Sequence, residues 1–163
     1  MEEIIKKKIV ANLSDLNILC DRFRKEKLNI SCTSGCYDIL HDGHLRYLAK
    51  AKNLGDILVV GVDNNLLANK MKGPRRPFND EDTRVFLVAG FMCVDFAVIV
   101  DDVDFFISVV KPDVFVMSES TESKPHERVR QIKLIEGLGG RVVALEPQSE
   151  KSTTKILQKM GRK

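Results

Sequence analysis

Five short segments read as strands, "LNISCT" (28–33) and four runs of mostly apolar, often β-branched residues: "ILVVGV" (57–62), "VDFAVIV" (94–100), "DVFVM" (113–117) and "RVVAL" (141–145). A strand without polar alternation has to be covered on both faces, which is the situation of a parallel sheet lying between two layers of helices. The intervening segments are long enough to supply those helices. "NLSDLNILCDRFRKEK" offers Ser14 as an N-cap and apolar residues at Leu16, Ile18, Leu19 and Phe23. "GHLRYLAKAKNLG" (43–55) is closed by Gly55, and "NDEDTRVFLVAGFM" (79–92) opens on Asn79 with acids in its first turn. Further helices are expected around 103–110, 126–137 and 152–160. The alternation predicts an α/β fold: a Rossmann-like, doubly wound, five-stranded parallel sheet with helices on both faces. One domain over 1–163 is expected, led by a helical segment over 1–26.

Composition narrows the function classes. A formal charge of +3 is mild and Trp is absent, so neither phosphate-backbone attraction nor base stacking is favoured and no nucleic-acid partner is expected. The four cysteines form no CxxC pair, which reads as reduced thiols used as small apolar residues. The opening "MEEIIKKKIV" is too short and too charged for a secretory signal, and no apolar run approaches the roughly 20 residues of a membrane span. A cytoplasmic location with no membrane contact is the expectation.

In a doubly wound sheet, ligands bind beyond the carboxyl ends of the strands, near the switch in strand order. The segment that follows the first apolar run reads "SGCYDILHDGHLRYL" (34–48) and places His41 and His44 around Gly43. With a helix starting near Asp42, both imidazoles lie at its amino end, where unpaired N–H groups and the dipole favour an anion. Phosphate contact is the favoured reading. A metal site and a bland solvated loop are the alternatives, and a zinc pair is expected to show CxxC or HExxH spacing that the chain lacks.

The motif HDGH, together with "STTKIL" near the last helix, resembles the HxGH signature of the cytidylyltransferase-like nucleotidyltransferases. The resemblance continues through "KGPRRPFNDEDTRVFLVAGFMCVDFAVIV", "KPDVFVMS" and "GGRVVALEP". Within that family the chain looks most similar to the nucleotidyltransferase domain of ADP-heptose synthases, which serves lipopolysaccharide biosynthesis. Glycerol-3-phosphate cytidylyltransferases lie a little further off. The resemblance implies attack of a phosphorylated acceptor on the α-phosphorus of ATP, or of CTP, with pyrophosphate leaving and Mg²⁺ accompanying the triphosphate. It implies that His41, His44 and Lys72 stabilise the reacting phosphates. It places Thr33, Ser34, Gly35, Asp38, Gly43, Arg84, Ser152, Thr153 and Thr154 on the nucleotide side, with Asp38 a loop organiser, and Asp63 and Asp95 toward the acceptor. No protein metal ligand is assigned. Lys70, Lys72, Arg75 and Arg76 read as a mobile basic loop suited to a lid, or else as a solvated one.

Two segments depart from the heptose pattern. "VMSESTESKPHE" has Met117, Ser118 and Glu119 where those enzymes carry a lysine and paired glycines, and "LEPQSEKSTT" lacks their glycine–aromatic step. ATP with a sugar 1-phosphate is the first expectation. CTP with glycerol phosphate, another HxGH acceptor such as flavin mononucleotide, and a non-catalytic nucleotide-binding domain are the alternatives. A homodimer is expected, because "VFLVAGFMCVDF" carries more apolar surface than one buried face requires.

Overall fold

The computed structural model describes residues 1–119, 125–149, 153–159 and 161. Along the chain come α1 (Glu2–Lys6), β1 (Ile9–Val10), α2 (Leu13–Lys25), β2 (Ile30–Gly35), α3 (Asp42–Lys52), β3 (Ile57–Asp63) and α4 (Asn65–Lys72). They are followed by α5 (Glu81–Ala89), β4 (Phe96–Val100), α6 (Val103–Val110), β5 (Val114–Ser118), α7 (Pro125–Gly137), β6 (Arg141–Leu145) and α8 (Thr153–Lys159). The strands form one all-parallel sheet in the order β1-β4-β3-β2-β5-β6.

Six strands replace the five expected. The additional one is β1, in which Ile9 pairs with Ala97 and Val10 with Val98 at the sheet edge. Two residues beside three lysines carry no readable period, so the leading segment is strand as well as helix. α4 is also additional: Lys70 and Lys72, expected in a loop, lie on a helix, and the turn begins only at Gly73, whose φ is 97°.

Alternate residues of the strands feed two cores. Ile30, Cys32, Val59, Val98 and Phe115 pack with Leu16, Cys20 and Phe23 of α2 and Phe106, Ile107 and Val110 of α6. Leu58, Val60, Val62, Ala97 and Val116 pack with Leu48 and Ala51 of α3 and Val85, Val88 and Ala89 of α5. Helices thus cover both faces, as apolar runs of this kind require. In "VFLVAGFMCVDF" the valines turn inward, while Leu87 and Met92 stay exposed at 42% and 94%.

Two caps sit beside the expected residues. Asn12, not Ser14, caps α2, its Oδ1 accepting from the Asp15 N–H at 2.9 Å. Asp80, not Asn79, caps α5 by accepting from the Thr83 N–H at 2.7 Å, because Asn79 donates its side-chain amide to the Asp38 carbonyl at 2.7 Å. α3 ends at a C-cap on Asn53, short of Gly55. Gly55 serves packing instead: a Cβ there would lie 2.7 Å from the Ser31 nitrogen.

From β2 the chain steps to β3 and β4 on one side, then crosses to β5 on the other. The crevice of the sheet therefore opens at the carboxyl ends of β2 and β5, above which the histidine segment runs. Among the described residues no helix is long and apolar enough to cross a membrane.

Candidate active site

Both histidines are built into the start of α3. His41 is the N-cap in an extended conformation, and its Nδ1 accepts from the Gly43 N–H at 3.2 Å. His44 reaches back, its Nδ1 accepting from the His41 N–H at 3.3 Å, which completes a capping box made of imidazoles. The ring centroids stand 4.0 Å apart with planes inclined by 42°. An Nδ1 that accepts carries no proton, so the proton of each neutral ring sits on Nε2, and both rings are hydrogen-bond donors in a fixed tautomer. A Cβ at position 43 would come within 2.9 Å of two His41 ring atoms and 3.0 Å of the Ser149 Cβ, so only glycine permits this arrangement.

Burial, then the neighbouring His41 and the ammonium of Lys72, push the His44 pKa down to about 4. At neutral pH His44 is therefore an uncharged donor. Asp63 shows the opposite effect. This carboxylate at the end of β3 is 2% exposed, and burial raises its pKa to about 6 although Arg84 and Lys72 pull it down.

The two groups predict offsetting pH effects on stability. His44 has a folded pKa of about 4 against 6.5, so the unfolded chain takes up its proton first and stability falls as pH drops through that window. Asp63 has a folded pKa of about 6 against 3.8, so it stabilises the fold when protonated and loses that contribution as pH rises from 3.8 to 6. Denaturant melts between pH 4 and 6 are expected to give a nearly flat contribution from the pair in the native protein. His44→Asn should gain stability toward pH 4 and Asp63→Asn should lose it, each by at most about 1.4 kcal/mol per pH unit. Parallel curves for the two variants would contradict this.

Asp38 and Arg84 hold the surrounding loops. Asp38 is buried, and its carboxylate accepts from Arg76 Nε at 2.6 Å and from the N–H groups of Phe78 and Asn79 at 2.8 and 2.9 Å. Arg84, the largest fully buried side chain, donates to the carbonyls of Asn79 at 3.0 Å, Cys36 at 2.7 Å and Asp63 at 2.6 Å, and to Asn65 Oδ1 at 2.9 Å. With four hydrogen bonds committed to the loops, it is first of all a strut that fixes the carboxyl ends of β2 and β3.

The remaining expected residues divide. Gly35 closes β2 under the Tyr37 ring, 3.3 Å from where a Cβ would lie, and Ser34 stands half-buried beside it. Thr33 is enclosed, its hydroxyl donating to the Val116 carbonyl at 2.9 Å and joined to the Tyr47 hydroxyl at 2.8 Å. That side chain links β2, α3 and β5 within the protein. Thr153 opens α8 and donates to the Ile39 carbonyl at 3.0 Å, bringing the last helix to the histidine segment. Thr154 follows on α8, and Ser152 lies outside the described residues.

Asp95 does not join the site. It precedes β4, and its carboxylate accepts from Lys52 Nζ and from the Leu58 N–H, both at 2.7 Å, near the amino end of the sheet. The site also holds residues to which the sequence drew no attention. Tyr37, at φ 51°, lays its ring 5.6 Å from that of His44, and Asn69 donates to the carbonyls of Gly73 and Arg76 at 3.3 and 3.1 Å. Among the described residues no group of three or more His, Cys, Asp or Glu side chains comes together to hold a metal ion.

The two imidazoles thus sit at a helix start where a parallel sheet reverses its order, the place at which α/β domains of this kind bind their ligands. The chain belongs to the cytidylyltransferase-like family of nucleotidyltransferases, whose family model matches residues 32–159. It is 33% identical over 156 residues to the bifunctional protein HldE of Sulfurimonas denitrificans, covering 93% of this chain and 31% of that one. HldE of Nitratiruptor sp. is 34% identical over 164 residues, covering 98% and 32%. The chain thus spans about a third of the length of these relatives. A solved lipopolysaccharide core biosynthesis protein from Thermoplasma volcanium superposes with a TM-score of 0.63 at 28% identity, covering 77% of this chain and 99% of that one. A pantoate-beta-alanine ligase from Francisella tularensis, at 15% identity and a TM-score of 0.61 over 90% and 68% of the two chains, shares the fold.

Proposed function

We propose that the chain transfers the nucleoside monophosphate of ATP to a sugar 1-phosphate of the heptose class and releases pyrophosphate. The observation that carries this reading is the imidazole pair at the start of α3, rings 4.0 Å apart, with each Nδ1 taken up by a backbone N–H so that Nε2 is left to donate. A phosphate oxygen of the acceptor attacks the α-phosphorus, the bond to the β-phosphate breaks, and its electrons leave with pyrophosphate. No covalent enzyme intermediate is required. Negative charge shifts onto oxygens that the imidazoles and Lys72 stabilise without reorganising, which is the efficient form of electrostatic catalysis. The amino ends of α3 and α8 supply further N–H groups for the outer phosphates. Mg²⁺ fits as part of the triphosphate complex, held by phosphate oxygens and water and supplying charge neutralisation there.

Support for the heptose class comes from the resemblance of residues 8–48 to ADP-heptose synthase domains and from the lipopolysaccharide core protein among the solved neighbours. A second reading, CTP with a polyol phosphate such as glycerol phosphate, is favoured by one feature: β5 ends on Met117 and Ser118 rather than on a lysine. A homodimer belongs to the proposal, supported by the exposed Leu87 and Met92. Each nucleoside triphosphate tested against heptose 1-phosphate, glycerol phosphate and flavin mononucleotide, with pyrophosphate as readout, separates the readings. ATP with heptose 1-phosphate should lead by about tenfold or more. A preference for CTP selects the second reading, and triphosphate binding with no pyrophosphate from any pair defeats both.

A further inference from the structure

We infer that Arg76 is a positioning residue for Lys72: paired with Asp38, it bolts the far end of α4, which Lys72 closes, to the histidine segment. This role presupposes the proposed transfer reaction and adds to it the part that sets the lysine in place.

The two ends of α4 are anchored differently. Its start is tied to neighbouring elements, the Asn64 N–H donating to the Val100 carbonyl at 2.7 Å and the Asn65 N–H to Glu81 Oε2 at 2.6 Å. Beyond Ala68 the helix buries no residue, and Met71 is exposed. Lys72 is its last residue, followed at once by Gly73 with φ 97°. Apolar packing therefore does not fix the end that carries the ammonium.

Polar ties do. Asn69, three residues before Lys72 and on the same helical face, donates to the Gly73 and Arg76 carbonyls. Arg76 in turn gives its Nε to Asp38 at 2.6 Å, with side-chain exposures of only 13% and 1% for the two partners. Its guanidinium lies 5.2 Å over the Phe78 ring, and the Phe78 N–H returns to the same carboxylate. Asp38 precedes His41 by three residues, so one carboxylate orients both the imidazole segment and the basic segment. A buried ion pair contributes little net stability because both charges are desolvated, but its short directional hydrogen bond fixes geometry. Lys72 ends α4 directly before the turn that carries Arg76, so the Arg76–Asp38 bond sets the backbone from which its side chain departs, next to the histidine segment.

A double-mutant cycle tests the inference on the full chain, with steady-state constants and melting temperatures for the native protein, Lys72→Ala, Arg76→Gln, Arg76→Lys and the Lys72→Ala/Arg76→Gln pair. Arg76→Gln is expected to lower kcat about 10- to 100-fold, as a misplaced catalytic group does, with KM for the triphosphate changed less than about threefold. In the Lys72→Ala background the same substitution should change kcat by less than about twofold. Arg76→Lys, which keeps the charge, should fall between native and Arg76→Gln. Equal fold-losses in both backgrounds, or an unchanged kcat in Arg76→Gln, overturn the inference. If Arg76→Gln does not fold, Arg76→Lys takes its place in the cycle. If neither folds, the pair is a folding requirement and the positioning role is wrong. A native protein that releases no pyrophosphate defeats the transfer reading itself, whereas normal native turnover with independent effects defeats only the role of Arg76.

Discussion

His44→Ala is expected to lower kcat by about 10²–10³-fold, equivalent to roughly 2.7–4 kcal/mol of transition-state stabilisation, while the chain stays folded. The loss has two components. Alanine removes the Nε2–H that meets developing phosphate charge, and it removes the acceptor that caps the His41 N–H. The cap is the smaller, about 1 kcal/mol of stability. His44→Asn separates them, because an asparagine oxygen can still accept from the His41 N–H but its amide does not reach as far as an imidazole Nε2. Its melting temperature should lie near that of the native protein and its turnover near that of the alanine variant. Pyrophosphate release within about tenfold of native in His44→Ala would remove the imidazole pair from the mechanism.

Arg84→Met is expected to have the largest effect on stability, a loss of about 3–5 kcal/mol. Methionine fills much of the space but leaves the carbonyls of Cys36, Asp63 and Asn79 without their donor. It also removes the partner charge of a buried carboxylate, Asp63. For a chain of this size the melting temperature should fall by about 6–20 °C. Because the guanidinium spends four hydrogen bonds on the loops, a variant assayed well below its melting point should keep a KM for the triphosphate close to native. A melting temperature within about 2 °C of native would mean that water replaces the guanidinium readily.

The sheet was legible chiefly from β3, β4 and β5, whose runs are apolar on both faces. In β3 the alternation between cores is direct: Leu58, Val60 and Val62 feed one and Val59 the other, and the polar side chain of the strand, Asp63, comes only at its carboxyl end. β1 escaped notice because two residues hold no period, and α4 because its apolar Leu66 and Met71 are exposed to solvent. The caps slipped by one or two positions where neighbouring side chains compete for the same role. Asn79 and Asp80 can both cap α5, and only the prior engagement of Asn79 with Asp38 decides between them.

At the site, HDGH signals a helix start with two imidazoles at it, but not that the imidazoles cap their own helix, because that depends on the extended backbone at His41. The position of Asp95 was readable in principle. A residue just before a strand of a parallel sheet sits at its amino end, opposite the ligand crevice. Arg84 also carried a signal, since its i+4 relation to Val88 puts it on the inward face of α5. Arg76 carried none, because its partner lies 38 positions away in sequence.

The bond from Thr153 to the Ile39 carbonyl joins residues 114 positions apart. One wall of the crevice is thus supplied by a helix translated after every strand of the sheet. A nascent chain that has already threaded β2 through β6 owns a complete sheet but lacks the helix that closes on the histidine segment. Completion of the crevice therefore waits on a closure between distant stretches of polypeptide that formation of the sheet does not itself require.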